Sequence, residues 1–326
     1  MDQNLQKAIQ LLQQGELVAF PTETVYGLGA DASSTQAVKK IFALKGRPAN
    51  HPVIVHLAHS VQVSDWAKDI PAIAWQLAKA FWPGPLTLIL KRSSQVPDAV
   101  TGGQDTVGLR IPSHPVAQSL LQAFGGGIAA PSANHFGHIS PTKAEHVRQE
   151  FPDLFILEGD EAEIGLESTI IDLSSEKPRL LRPGGISLAE IEKVIGKVER
   201  ANKTSPRASG MLKSHYAPNT PTLLLNKEEI KTLDTQAPLG VLLYSFTAHE
   251  LKLMPQTWRV ICLKADAKAY GQALYHSLRE LESTQAIIII ERPPQTAEWL
   301  AVQDRLKRAS AHHESLKPDQ LKQLFG

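Results

Sequence analysis

The apolar runs of this chain constrain its fold more than any other feature. They are short, rich in aliphatic residues, and bounded by proline, glycine or polar residues. Examples are Leu17-Val18-Ala19-Phe20 before Pro21, Pro52-Val53-Ile54-Val55-His56-Leu57, Leu86 to Leu90, Thr106 to Pro112 and Ser168 to Leu173. Runs of this kind read as strands, the most apolar of them buried on both faces. Between them lie stretches with helical spacing: Leu5, Ala8, Ile9 and Leu12 near the start, Thr35 to Leu44, residues 71–82 stopped by Pro83-Gly84-Pro85, and Val116 to Phe124 closed by the glycines 125–127. Residues 22–29 and 181–185 read as turns. Strands and helices follow one another without a clean βαβ repeat. The expected fold is therefore α/β, a mixed sheet with flanking helices.

The pattern changes near residue 200. Residues 201–221 are poor in apolar side chains and carry Pro206, Pro218 and Pro221, the composition of a linker. Beyond it, strands are expected at Thr222–Leu225, Gly240–Tyr244, Val260–Leu263 and Ala286–Ile290, with helices at Ala267–Leu281 and Thr296–Ala309. Such alternation predicts a small parallel α/β domain. It lacks the Gly-rich phosphate fingerprint after its first strand. With 326 residues, both parts are long enough to bury a core. The expected organisation is a domain at 1–200, a linker at 201–221 and a second domain at 222–326.

Charge and cysteine content narrow the function. Residues 1–200 carry 18 Lys and Arg against 21 Asp and Glu, and residues 201–326 carry 16 against 12. A module that grips a nucleic-acid backbone shows a strong basic excess, and the motif-rich part has none. The single cysteine, Cys262, predicts neither an intrachain disulfide nor a zinc cluster. His114, His135, His138 and the pair His312-His313 make no recognisable metal spacing. The longest aliphatic run, Ile287 to Ile290, is far too short to span a bilayer, and the start shows no signal-peptide pattern. A cytoplasmic protein without a membrane partner is expected.

Several elements could carry chemistry, and each also has a plainer reading. Lys45-x-Arg47 sets two cations before Pro48, suited to a polyphosphate or simply to a helix C-terminus. Beside a proline turn, both are expected outside the core. Ser132-x-Asn134, behind three glycines and Pro131, could meet a ligand or be an ordinary turn. Thr22 to Gly29 is a polar, glycine-bearing segment at the end of a buried strand, where ligand groups often sit. Arg110 lies between Leu109 and Ile111 and, if buried, requires a carboxylate partner from protein or substrate. His56 ends an apolar strand. Ser209 to Pro218 places Met211, His215 and Tyr216 inside a linker that needs none of them for spacing, which suggests docking.

The order of these motifs is more specific than any one of them. PTETVYGLG at 21–29, KGRP at 45–48, PVIVH at 52–56, VGLRIP at 107–112, APSAN at 130–134, ESTIID at 167–172 and RPGG at 182–185 resemble the threonylcarbamoyl-AMP synthase family. SGMLKSHYAP at 209–218 and the following α/β part resemble its long, two-domain form. The resemblance implies a YrdC-like domain with a twisted mixed sheet and a Rossmann-like C-terminal domain. It implies condensation of L-threonine, bicarbonate and ATP to threonylcarbamoyl-adenylate; Mg2+ on the phosphates is expected on general grounds. The product goes to a tRNA threonylcarbamoyl transferase, and contact with tRNA or double-stranded RNA is an implied partner interaction. By position, Lys45, Arg47, His51, Thr106, Ser132, Asn134, Ser140, Arg182 and His215 match ATP-binding residues. Thr24, Tyr26, His56, Arg110, Ala130 and Ser168 match the threonine pocket. The resemblance implies no covalent nucleophile and no protein metal ligand. His51 stands where the family's archaeal pattern has Asn, and Ala208-Ser209-Gly210 stands where its linker has Ser-Pro-Gly. One rival is an RNA-binding module without catalysis. Another is a carbamoyl-adenylate enzyme of the hydrogenase-maturation type, which would need acylphosphatase and zinc-finger segments.

Overall fold

A computed structural model describes residues 2–212, 215–233, 235–282 and 287–311. The chain forms two compact units, Met1–Phe136 with Ser140–Met211, and Gly137–Ile139 with Leu212–Gly326.

The first unit is built on a nine-stranded mixed sheet. Its strands are β1 Val18–Phe20, β2 Gly27–Asp31, β3 Ile54–His56, β4 Leu86–Lys91, β5 Thr106–Arg110, β6 Ile128–Ala129, β7 Thr169–Asp172, β8 Arg179–Arg182 and β9 Glu199–Arg200. Their spatial order is β1-β2-β6-β3-β5-β4-β7-β8-β9. The central strands are buried on both faces, which is why they read as unbroken apolar runs. Phe20 and Ile128 share a core with Ala8 and Leu12 of helix Gln3–Gln13 and with Leu120 and Leu121 of helix Pro115–Phe124.

Helix Thr35–Lys45 shows how local sequence positions a functional group. Ser34 caps its start, accepting from the Ala37 N–H, and Gly46 ends it at φ +63°. That left-handed glycine reverses the chain after Lys45 and brings Arg47 round beside it.

Two segments expected as turns, 22–29 and 181–185, lie partly in strands, at residues 27–29 and 181–182. Residues 27–31 pair antiparallel with β1, Val18 opposite Gly29. Gly29 lies beneath Phe20: a Cβ there would fall 2.8 Å from the ring and 3.0 Å from Ile128. Its glycine serves close packing within a sheet rather than a turn. Arg179–Arg182 pairs antiparallel with β7.

The polar connection after residue 200 is not a free tether along its whole length. The Arg207 N–H donates to Gln104 Oε1 (2.7 Å), Ser209 Oγ donates to the Pro52 carbonyl (3.0 Å), and Arg182 Nη1 donates to the Ser209 carbonyl (3.1 Å). Ala208 packs with Ile54, Ile89, Ile170 and Leu181, and Met211 lies against the same cluster.

The second unit carries β10 Thr222–Leu225, β11 Leu239–Leu243, β12 Arg259–Cys262 and β13 Ile287–Glu291 in a parallel sheet of order β10-β13-β11-β12. Helices Ala267–Glu282 and Leu300–Ala309 accompany it. Tyr216, left-handed at φ +59° and buried, lies 4.1 Å from His215, 6.0 Å from Tyr275 and 4.9 Å from Arg305. Lys213, Ser214, Ala286, His312 and His313 lie outside the described residues. Among the described residues no helix is long and apolar enough to cross a membrane.

Gly184, in the turn after β8, has no room for a side chain. A Cβ would land on the Glu167 carbonyl oxygen and within 2.5 Å of the Ser168 carbonyl carbon. Both are backbone, so the strain cannot be relieved by a rotamer change. Gly184→Ala should cost roughly 1–3 kcal/mol. Thermal unfolding should show a midpoint lower by about 2–10 °C.

Candidate active site

Strand register assembles the first cluster. β3 and β5 run parallel with His56 opposite Arg110, and β6 lies on the other side of β3 with Ile128 opposite His56. The β1–β2 loop delivers Glu23 and Thr24 to the same place. Within that loop Thr22 Oγ1 accepts from the Val25 N–H (3.2 Å) and lies 2.8 Å from Thr24 Oγ1. Arg110 is 4% exposed. Its Nη2 lies 2.6 Å from Glu23 Oε1, its Nη1 donates to Thr24 Oγ1 (2.9 Å) and its Nε to the Gly84 carbonyl (3.3 Å). The buried Arg110 thus has its carboxylate from the protein itself.

His56 is buried beside this guanidinium. Burial first, and the Arg110 charge second, push its pKa down to about 3. The imidazole is therefore neutral across the physiological range, and its Nδ1 has no hydrogen-bond partner. Ser168, at the start of β7, lies 2.8 Å from Thr87 through their hydroxyls. Arg182 Nε and Nη2 both donate to the Ser168 carbonyl (3.1 and 2.9 Å), and Nη2 also to its hydroxyl (3.0 Å). Arg182, from the expected nucleotide set, is thus joined to Ser168, from the expected threonine set. Ala130 continues β6, its N–H donating to the Ile54 carbonyl (3.0 Å). Tyr26 directs its hydroxyl to the Gly159 carbonyl (2.9 Å), and burial pushes its phenol pKa up. Its backbone carbonyl accepts from the Ala133 N–H (2.9 Å), supporting the Ser132–Asn134 loop.

Lys45 organises the second cluster. Its ammonium donates to the Ser132 carbonyl (2.6 Å) and to the Asn134 carbonyl, tying the helix end to that loop. Burial, then the neighbouring Arg47 charge, lowers its pKa well below the ordinary lysine range. Arg47 donates to the Pro52 carbonyl (2.9 Å) and to Ser209 Oγ (3.3 Å), and lies 5.6 Å from the Phe136 ring. His51 meets the same ring edge-on at 5.5 Å, and burial, then Arg47 and Arg207, lowers its pKa. Lys45 and Arg47 were expected outside the core, yet they are 3% and 7% exposed. The reversal at Gly46 folds this helix end inward, a consequence that a proline turn in the sequence conceals.

Asn134 donates to the His135 carbonyl (2.7 Å), and Ser140 Oγ to Glu167 Oε1 (2.6 Å). Thr106 lines a small space with Pro52, Gly108, Ile170, Ala208 and Ser209. The volume left there is about 10 Å³, near the minimum that holds one water. His215 belongs to the second unit, beside Tyr216; the other expected site residues belong to the first. Sequence reasoning missed Glu23, Gly84, Thr87, Phe136 and Glu167 as partners of these groups. Glu23 alone had a signal: an Arg in an apolar strand demands a counter-charge, and a carboxylate sits next to Thr24.

Two family models cover the chain. One, Sua5_yciO_yrdC, described as telomere recombination, matches residues 10–184; the other, the threonylcarbamoyl-AMP synthase C-terminal domain, matches residues 186–311. The chain belongs to the threonylcarbamoyl-AMP synthase family. It is 41% identical to the threonylcarbamoyl-AMP synthase of Pyrococcus abyssi, covering 94% of this chain and 93% of that one. It is 40% identical to that of Bacillus subtilis, over 95% and 93%. Its fold matches the crystal structure of P. abyssi Sua5 complexed with L-threonine, with a TM-score of 0.88 and 39% identity over 95% of each chain. The two-domain architecture of the long form is therefore that of this chain.

The neutral, buried His56 makes this pocket sensitive to acid. Between the ordinary histidine pKa of 6.5 and about 3, the unfolded chain binds a proton at residue 56 that the native state excludes. Stability should therefore fall as pH drops through this window, by at most ~1.4 kcal/mol per pH unit from this group. Urea unfolding at pH 4 to 7 should give a shallower acid loss for His56→Gln than for the parent. Equal slopes would show that residue 56 is not a neutral buried group.

Proposed function

We propose that the protein makes L-threonylcarbamoyl-adenylate from L-threonine, bicarbonate and ATP, releasing pyrophosphate and water. The product serves threonylcarbamoyl modification of the adenosine beside the anticodon in tRNAs reading ANN codons. The observation that carries this reading is the match, over nearly the whole of both chains, to threonylcarbamoyl-AMP synthases.

The site chemistry supports it. The threonine amine attacks the bicarbonate carbon and water leaves, giving a carbamate. A carbamate oxygen attacks the α-phosphorus in line, and the bond to pyrophosphate breaks. This asks for positioning and charge neutralisation more than for a protein nucleophile. We assign the amino acid to Thr24, Tyr26, His56, Arg110, Ala130 and Ser168. Tyr26 acts through its backbone, since its hydroxyl is engaged at Gly159. The guanidinium of Arg110 suits the amino-acid carboxylate. ATP is assigned to Lys45, Arg47, His51, Thr106, Ser132, Asn134, Ser140, Arg182 and His215. Mg2+ is placed on the triphosphate. Among the described residues no group of three or more His, Cys, Asp or Glu is placed to hold a cation.

Residues 207–211, laid on the sheet beside Thr106 and Arg182, are the start of a closing segment over this site. Carbamates decompose in water, so closure protects the intermediate.

Pyrophosphate release should require ATP, threonine and bicarbonate together; release unaffected by omitting threonine or bicarbonate would refute the reading. Arg110→Ala would strand a buried carboxylate, so Arg110→Lys is the cleaner probe. It keeps the charge and loses the planar fork, and the threonine KM should rise about tenfold or more with the ATP KM unmoved. A chain ending at residue 200 should fold on the first unit's core yet lose most product formation. Full activity of that truncation would show that residues 201–218 only tether.

A further inference from the structure

The ion pair at the centre of the amino-acid pocket leaves one partner with unmet capacity. Glu23 is 3% exposed and holds a carboxylate, which accepts at two oxygens and roughly four lone-pair sites. Its Oε1 lies 2.6 Å from Arg110 Nη2, but neither Oε1 nor Oε2 has a donor in hydrogen-bonding geometry. Arg110 Nη2 likewise lacks a well-angled acceptor, whereas Nη1 and Nε are engaged by Thr24 and Gly84. A buried carboxylate is costly to leave in this condition. The neutral His56 adds no charge to the cluster. Arg110 and Glu23 together form a buried pair of zero net charge with its positive and negative ends side by side.

That arrangement is complementary to one chemical class, a zwitterion. We propose that Glu23 is a specificity-determining residue of the amino-acid pocket: its carboxylate holds the Arg110 guanidinium in place and receives the substrate's α-ammonium while Arg110 receives the α-carboxylate. The inference rests on the reading that threonine occupies this pocket. An ammonium carries three donors and would supply what the Glu23 oxygens lack. The pocket then selects amino acids over simple carboxylic acids by charge as well as by shape. A hydroxy acid without the amine would place its negative charge beside Glu23 with nothing to offset it.

The test uses the full chain and two ligands that differ only in the amine, threonine and 3-hydroxybutanoate. Threonine-dependent pyrophosphate release in the parent gives the threonine KM. Competition by 3-hydroxybutanoate gives its inhibition constant. Glu23→Gln is nearly isosteric and removes only the charge. It should raise the threonine KM about tenfold or more, because a close buried charge partner is lost. It should leave the 3-hydroxybutanoate constant unchanged or tighter, because Arg110 is freed for an anion. The ATP KM should stay at the parent value. Parallel weakening of both ligands would mean that Glu23 only supports the fold of the pocket, and an unchanged threonine KM would mean that it has no part in recognition; either result overturns the proposal. If Glu23→Gln does not fold, the double variant Glu23→Gln with Arg110→Gln, which buries no net charge, takes its place. It should bind threonine no better than 3-hydroxybutanoate, and a retained preference for threonine would overturn the proposal. A parent enzyme that releases pyrophosphate without threonine would instead refute the assigned function, and this inference with it.

Discussion

A guanidinium buried in the middle of a sheet must find its counter-charge and its acceptors nearby, and the first unit is arranged around that demand. Arg110 is the buried last residue of the central strand β5, where an unpaired cation would cost several kcal/mol. The β1–β2 loop brings Glu23 and Thr24 to it, and the Pro83–Pro85 turn brings the Gly84 carbonyl. The loop can do so because Thr22 locks its first turn through the Val25 N–H and because β2 returns along β1. The return in turn needs a glycine at 29, where the Phe20 ring leaves no space for a Cβ. One charge requirement thus runs back through a hydrogen-bonded loop to a packing constraint.

Lys45 sets the second condition. A buried ammonium with a depressed pKa is held by two backbone carbonyls, those of Ser132 and Asn134. The contact fixes the loop after β6 against the end of helix Thr35–Lys45. Arg47 then stands beside Lys45 and engages Pro52 and Ser209. The Arg47 charge disfavours a charge on Lys45, and their proximity suits a polyanion that would favour the charged form of both. His56, by contrast, contributes no charge. Its neutrality leaves the charges of this cluster to the Arg110–Glu23 pair.

Much of this was legible in the chain as written. Short apolar runs became strands and the amphipathic stretches became helices, because both depend on periodicity within a few residues. Ser34 and Gly46 bound the helix that carries Lys45, by capping rules that are equally local. The need for a partner to Arg110 was legible as well, since a cation among aliphatic residues demands one. The order of the motifs pointed to the family, and both domain matches agree with it.

The identity of each partner was decided only by the tertiary structure. Glu23 meets Arg110 because β1, β2, β3, β5 and β6 bring distant parts of the chain to one point. Tyr26 sends its hydroxyl to Gly159 for the same reason. Lys45 and Arg47 are inside because Gly46 reverses the chain against the Ser132–Asn134 loop, and Ala208 is a core residue because the sheet offers Ile54, Ile89 and Ile170 beneath it. Propensity, capping and periodicity act between neighbours in sequence, whereas burial, charge pairing and close packing act between neighbours in space. A chain records the first kind directly and the second only once it has folded.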